Sequence, residues 1–162
     1  MKHIGLLSDT HGDLPEGLFA FFGKCDEIWH AGDIGDLATA ERLEAFKPLQ
    51  AVFGNIDGQE IRVRYPRHQR FLCEERDVWI THIGGYPGHY DPQVRAELHT
   101  RPPHLFICGH SHILKVIYDK KLELLHLNPG AAGSKGFHKV RTALRFTIDG
   151  RDIRDMEIWQ NE

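Results

Sequence analysis

The chain has 162 residues, 41% of them hydrophobic, enough for one core, so a single domain over residues 1–162 is expected. A net charge of −3 argues against a globally basic nucleic-acid binder, and three widely spaced cysteines argue against a disulfide framework or a thiolate zinc site. Met1-Lys2-His3 leads into a strand-like run without a signal-peptide core or a membrane-length apolar span, so a cytoplasmic protein with no membrane association is expected.

In chain order, short apolar runs end on polar side chains of metal-ligand type. Ile4 to Ser8 leads to Asp9 and His11, Glu27 to His30 leads to Asp33, and Ala51 to Phe53 leads to Asn55. Val78 to Thr81 leads to His82, and Leu105 to Cys108 leads to His110 and His112. Successive groups lie 24, 22, 27 and 28 residues apart, about one strand-plus-crossover unit each. Strands of one sheet would deliver all these side chains to one edge, where α/β proteins place their sites.

Helices are expected over Pro15 to Lys24, where Pro suits a first turn, and over Leu37 to Phe46, giving a parallel βαβαβ first half. The second half reads as hairpins: Arg70–Cys73 with Val78–His82, Val116–Tyr118 with Leu122–His126, and Arg141–Ile148 with Asp152–Trp159. Asp149-Gly150 is the strongest turn signal, because both residues tolerate positive φ. A helix near Pro92 to Thr100 interrupts the hairpins. The expected fold is an α/β sandwich of two mixed β-sheets packed face to face, with helices outside.

Asp9 and His11, alternating on extended backbone, would aim at one ion. Asp33 offers two oxygens that can bridge two cations, Asn55 a neutral carbonyl, and His82, His110 and His112 imidazoles. Sharing these ligands places Asp9, His11, Asp33 and His112 on one ion, and Asp33, Asn55, His82 and His110 on the other. A nitrogen/oxygen set without thiolates suits two divalent transition ions, Mn first, with Fe, Ni, Zn and Co open. Two such ions, two carboxylates and a bridging hydroxide leave a formal charge of about +1, which favours an anionic phosphate. Asp9, Asp33, Asn55, His82 and His110 would thus serve hydrolysis of a phosphoester through a metal-held hydroxide.

The motifs Asp9-Thr10-His11, Gly32-Asp33, Gly54-Asn55-Ile56-Asp57, His82 and Gly109-His110-Ser111-His112 closely resemble those of the calcineurin-like metallophosphoesterase superfamily. The resemblance spans about residues 1 to 134, ending in the Asn128-Pro129-Gly130 turn, and is greatest to its small YfcE-like phosphodiesterase group. It implies a four-layer αββα fold, a binuclear metal centre and a small phosphoester substrate. Ile56 stands where the larger family has a histidine thought to assist the leaving group, so that help must come from elsewhere or be absent. Members of the YfcE-like group also lack that histidine and still hydrolyse diesters.

Around these ligands, His30 is a candidate partner of the Asp33 ligand, with packing the slightly stronger reading, and Asp57 is a candidate support for the ligands that lacks its usual histidine partner. Gly84 to Tyr90 reads as a rim over the phosphate, with His89 a candidate contact. His99, His126 and His138 read as core or surface groups, and Gly130, Gly133 and Gly136 as shaping a turn beside the site. The basic run Arg62 to Arg70 precedes Glu74, Glu75 and Asp77 and reads as a solvated face rather than a nucleic-acid patch. Exposed apolar surface on the outer hairpins would support a homo-oligomer. The alternatives to a phosphodiesterase are a non-catalytic protein-interaction scaffold, as a retromer subunit of this fold is, and a nuclease.

Overall fold

The structure, a computed structural model, describes residues 1–161. Its elements are β1 (Lys2–Leu7), α1 (Gly17–Phe21), β2 (Glu27–His30), α2 (Leu37–Phe46), β3 (Leu49–Ala51), α3 (Gln59–Arg62), β4 (His68–Cys73) and β5 (Arg76–Thr81). They continue with β6 (Gly85–Tyr86), β7 (His89–Tyr90), α4 (Pro92–Thr100), β8 (Leu105–Ile107), β9 (Leu114–Asp119), β10 (Leu124–Pro129), β11 (Arg141–Asp149) and β12 (Asp152–Asn161).

Two five-stranded mixed sheets result, ordered β12-β11-β1-β2-β3 and β4-β5-β8-β10-β9. Side-chain alternation along the strands then builds four layers. Ile4, Leu6, Trp29, Val78, Ile80, Leu105, Ile107, Leu144 and Phe146 fill the core between the sheets. Their neighbours face outward: Leu7, Ile28 and Ala143 pack on Leu18 and Phe22 beside α1, while Trp79 and Phe106 pack on Val94 and Leu98 of α4. Ala51 meets Ala40 of α2 and Ile61 of α3. The αββα sandwich follows from one buried stripe per helix and two buried faces per central strand.

The ligands do not come from one sheet. Those after β1, β2 and β3 come from the first sheet, and His82, His110 and His112 follow β5 and β8 of the second. The site therefore lies where the carboxyl ends of two packed sheets meet.

Helices α2 and α4 have the expected bounds because each has a cap: Asp36 accepts from Thr39 N–H at 2.8 Å, and Asp91 accepts from Gln93 N–H at 2.9 Å ahead of Pro92. The helix expected over Pro15 to Lys24 contracts to Gly17–Phe21. Glu16 gives no side-chain cap, and the segment enters through i→i+3 bonds from Leu18 to Pro15 and Phe19 to Glu16, a tighter turn that does not propagate. The short α3 ends on Arg62, the first residue of the basic run. At the terminal hairpin Asp149 pairs with Asp152 as a strand residue, and of the Asp149-Gly150 pair Gly150 alone, at φ 62°, takes the positive dihedral. Gly84 to Tyr90 forms a small hairpin, with Gly85 opposite Tyr90 and Tyr86 opposite His89 around Pro87-Gly88.

Candidate metal centre

Each ligand sits one to five residues past the end of a strand, on backbone that turns sharply. Of the eight non-glycine residues with positive φ among those described, five are Asp9, His11, Asp33, His110 and His112. The Asp9-x-His11 pair is thus not extended: φ is 54° at Asp9 and 49° at His11. Left-handed backbone is unfavourable for residues with a Cβ and persists only where its surroundings over-determine it. Here backbone bonds do so: Asp9 N–H donates to Gly32 at 2.9 Å, and His11 N–H to Asp33 at 3.0 Å.

The glycines of the motifs are required by close approach. A Cβ on Gly54 would lie 2.0 Å from Asp33 Oδ1, and one on Gly109 would lie 2.1 Å from Ser8 Oγ and 2.8 Å from Asp9 Oδ2. Gly32 packs against the His82 ring in the same way.

The ligand atoms converge in two groups, Asp9 with His11 and His112, and Asp33 with His82 and His110. His112 Nε2 lies 3.2 Å from Asp9 Oδ1, and His82 Nε2 lies 3.2 Å from Asp33 Oδ2. The groups share an edge, since His11 Nε2 is 3.5 Å from Asp33 Oδ2 and His82 Nε2 is 3.8 Å from Asp9 Oδ1. Asn55 Oδ1 joins the second group 3.1 Å from His110 Nδ1, a spacing that two ligands on one ion take when each bond is about 2.1 Å.

Asp9 Oδ1, His11 Nε2 and His82 Nε2 are buried without a hydrogen-bond partner. Buried polar atoms are rarely left so, and three that face one another fit a cation rather than a proton network. His82 Nδ1 donates to the Ala31 carbonyl at 2.7 Å, which leaves Nε2 bare for an ion. Asp33 Oδ1 is occupied by Ile56 N–H at 3.0 Å, so only Oδ2 faces both groups. Asp33 Oδ2 is thus the oxygen free of protein partners between the two groups.

The electrostatics agree. Burial disfavours charge on Asp9, yet the adjoining imidazoles of His11 and His112 and the charge of His82 outweigh it and hold Asp9 well below the usual carboxylate range. The Asp9 carboxylate raises His11 above its ordinary value. Burial lowers His82, but the adjoining Asp33 carboxylate and the charge of Asp9 leave it raised. The donors form a strongly cation-seeking cluster.

The candidate supporting residues have defined partners. Asp57, 3% exposed, accepts from Gly54 and Ile34 N–H through Oδ2 and from Gly35 N–H through Oδ1, tying the Asp33 loop to the Asn55 loop. His30 is fully buried. Gly32 N–H donates to its Nδ1 at 3.1 Å, so its Nε2–H donates to Thr10 Oγ1 at 3.0 Å, and Thr10 passes a bond to the Ile34 carbonyl. With both nitrogens committed and burial pushing its pKa down to about 4, His30 holds backbone and donates no proton to substrate.

Asn128 grips the turn bearing His110, donating to Gly109 O at 3.0 Å and Ser111 Oγ at 3.2 Å. Gly133 and Gly136 shape the turn: a Cβ on the former would lie 2.2 Å from the Thr10 carbonyl and on the latter 2.4 Å from His112 Nδ1. His99 caps its own helix turn through Arg95 O, and His126 lies in the core against Phe106 O. In the basic run Arg62 binds the Asp57 carbonyl, Arg64 pairs with Glu41 and Glu44, Arg67 with Gln93, and Arg70 with Asp77.

Two depressions flank the Asp33 group. One of about 540 Å³ is lined by His110, Ser111, Tyr86, His89, Arg95 and Lys115. The other, about 150 Å³, is lined by Asn55, His82, Arg62 and Arg67, and Ile83 borders both. His89 is exposed on the rim, and Ile56 is 47% exposed beside Asn55.

A two-sheet αββα sandwich with a buried Asp/His cluster where the sheets meet defines the metal-dependent phosphoesterase class. Residues 1–151 match the calcineurin-like phosphoesterase superfamily domain, and the chain belongs to that superfamily. A probable metallophosphoesterase of Methanothermobacter thermautotrophicus is 31% identical over 135 residues, 79% of this chain and 76% of that protein. Among solved structures, Vps29 of Chaetomium thermophilum superposes with a TM-score of 0.78 at 17% identity, over 99% of this chain and 97% of its own. An archaeal phosphodiesterase gives 0.73 at 19% identity, over 97% and 99%. Among the described residues, no helix is long and apolar enough to cross a membrane.

Proposed function

We propose that the chain is a phosphodiesterase with a two-ion centre, one ion held by Asp9, His11, His112 and Asp33, the other by Asp33, Asn55, His82 and His110. The observation that carries this is the convergence of the unpartnered Asp9 Oδ1, His11 Nε2 and His82 Nε2. Divalent ions there, Mn²⁺ by preference for imidazole and oxygen ligands, would supply Lewis acidity toward phosphate and lower the pKa of a bound water.

The protein's own part is positional. The Gly54 and Gly109 turns hold the carboxylates, Asp57 locks the two loops, and the depressions receive the ester arms. A phosphate at the Asp33 group has room on both sides of Ile83, which suits a diester with one large and one small arm better than a monoester. His30 cannot protonate a leaving group and Ile56 has no proton to give, and among the residues lining the larger depression His89 is the candidate acid beside solvent. Acidic leaving groups should react fastest.

The test is hydrolysis of bis(4-nitrophenyl) phosphate and 4-nitrophenyl phosphate by chelator-treated protein with Mn²⁺ restored. The diester is expected to be preferred, and equal rates without added metal would refute the proposal. The exposed Val116, Ile117 and Tyr118 on edge strand β9, with the Vps29 likeness in fold, favour a protein-interaction scaffold as the second reading. Ion binding without turnover of any phosphoester would favour it.

A further inference from the structure

His138, 26 residues past His112 and outside every ligand motif, touches one of the proposed ligands. Its Nδ1 lies 3.1 Å from His112 Nδ1, and the two rings meet edge to face at 81° with centroids 4.9 Å apart. Its Nε2 lies 2.7 Å from the Gly133 carbonyl. Gly136 makes room for the pair, since a Cβ there would lie 2.4 Å from His112 Nδ1 and 2.9 Å from His138 Nδ1.

These contacts leave one consistent proton assignment for neutral rings. A carbonyl only accepts, so His138 Nε2 carries the hydrogen and His138 Nδ1 is a bare acceptor. Two Nδ1 atoms at hydrogen-bond distance share one proton, which must then belong to His112. With its proton on Nδ1, His112 presents a bare Nε2, the atom 3.2 Å from Asp9 Oδ1. His82 reaches the same state through the Ala31 carbonyl, and on the other ring a histidine takes the carbonyl's place.

We propose that His138 is the positioning residue that fixes the metal-binding tautomer and ring orientation of His112. The proposal rests on the ion-centre reading above and adds a residue to it. The loop from Gly133 to His138 becomes the clasp of the Asp9 group, an acceptor supplied by a segment with no ligand of its own. Removing such an outer partner typically weakens ion affinity about 10- to 100-fold.

Two measurements on the full chain test it. In Mn²⁺ titrations, His138→Ala should weaken one of two dissociation constants about 10- to 100-fold and leave the other nearly unchanged. His138→Asn, whose amide oxygen can stand in for Nδ1 as the acceptor, should recover most of the loss. Unchanged affinity in the alanine variant, or equal weakening in both variants, would overturn the proposal. In ¹⁵N-labelled wild type loaded with diamagnetic Zn²⁺, a through-hydrogen-bond N–N coupling between His112 and His138 is expected, with the proton on His112. A proton assigned to His138 Nδ1, or no coupling, would contradict it even if the variants fail to fold. Wild type that binds no ion at all would instead sink the ion-centre reading, a different failure from two ions binding indifferently to residue 138.

Discussion

The two ligand groups use the same residue types but are finished differently. Asp9, His11 and His112 are closed in: Asp9 is fully buried, Ser8 and His110 N–H bind its Oδ2, and the Gly133–His138 loop covers His112. The Asp33 group opens outward through exposed His110 and Asn55 onto two depressions parted by Ile83. In the proposed centre the first group retains an ion and the second receives the ester. Asp33 Oδ2, facing both, couples them.

The largest effect should follow from breaking that coupling. Asp33→Asn removes the shared charge, so both ions should weaken and kcat/KM should fall on the order of 10²-fold or more, whereas His82→Ala should mainly empty the open group. Elemental analysis of both variants separates the outcomes, and two retained ions in Asp33→Asn would break the comparison.

Next comes the leaving group, which concerns only the open side. Rates should fall steeply as the leaving group becomes more basic, because Ile56 offers no acid. Ile56→His should speed the poor leaving groups by roughly tenfold at most, below the usual 10²- to 10⁴-fold for general-acid help, because Asp57 already accepts three backbone N–H bonds and has little capacity left to orient a new imidazole. Measuring kcat/KM for one diester series in wild type and variant decides this. A shallow wild-type slope would identify another acid, with His89→Ala the variant to make next.

On the closed side, Gly109→Ala forces a Cβ onto Ser8 Oγ and Asp9 Oδ2 and should cost about 1–3 kcal/mol of stability along with affinity for one ion. Urea unfolding of metal-free protein measures the stability part. An undisturbed midpoint would show that this turn is looser than its contacts suggest.

Far from both groups, burial pushes His126 down to about 4 from an ordinary 6.5, its Nδ1 bonded to Phe106 O and its Nε2 without a partner. Between those values the unfolded chain binds more protons than the folded one. The contribution is therefore present above pH 6.5 and lost as pH falls toward 4, by up to ~3 kcal/mol. In chelator, His126→Phe should keep more of its neutral-pH stability at pH 4.5 than wild type does. Parallel losses would assign the acid sensitivity to His30 and the ligands instead.

Much of this was legible in the sequence, for physical reasons. Ligand spacing survives because each side chain must follow a strand end, and α2 and α4 keep their expected bounds because the caps at Asp36 and Asp91 fix where they start. What was not legible depends on tertiary contact. Spacing alone cannot say that Asp9 and Asp33 come from one sheet and His82 and His110 from another, nor that tertiary bonds would hold Asp9 and His11 in left-handed backbone. His138 reads in the sequence as a core or surface group like His99 and His126, since its partner lies 26 residues away and only the folded loop brings the rings together.

The most direct test of the central claim is a stepwise Mn²⁺ titration of chelator-stripped protein, following bound metal and bis(4-nitrophenyl) phosphate hydrolysis together. The two-group account predicts two ions per chain, the first bound with little turnover and activity rising as the second enters the open Asp33 group. Full activity at one ion per chain, or turnover with none, would contradict it.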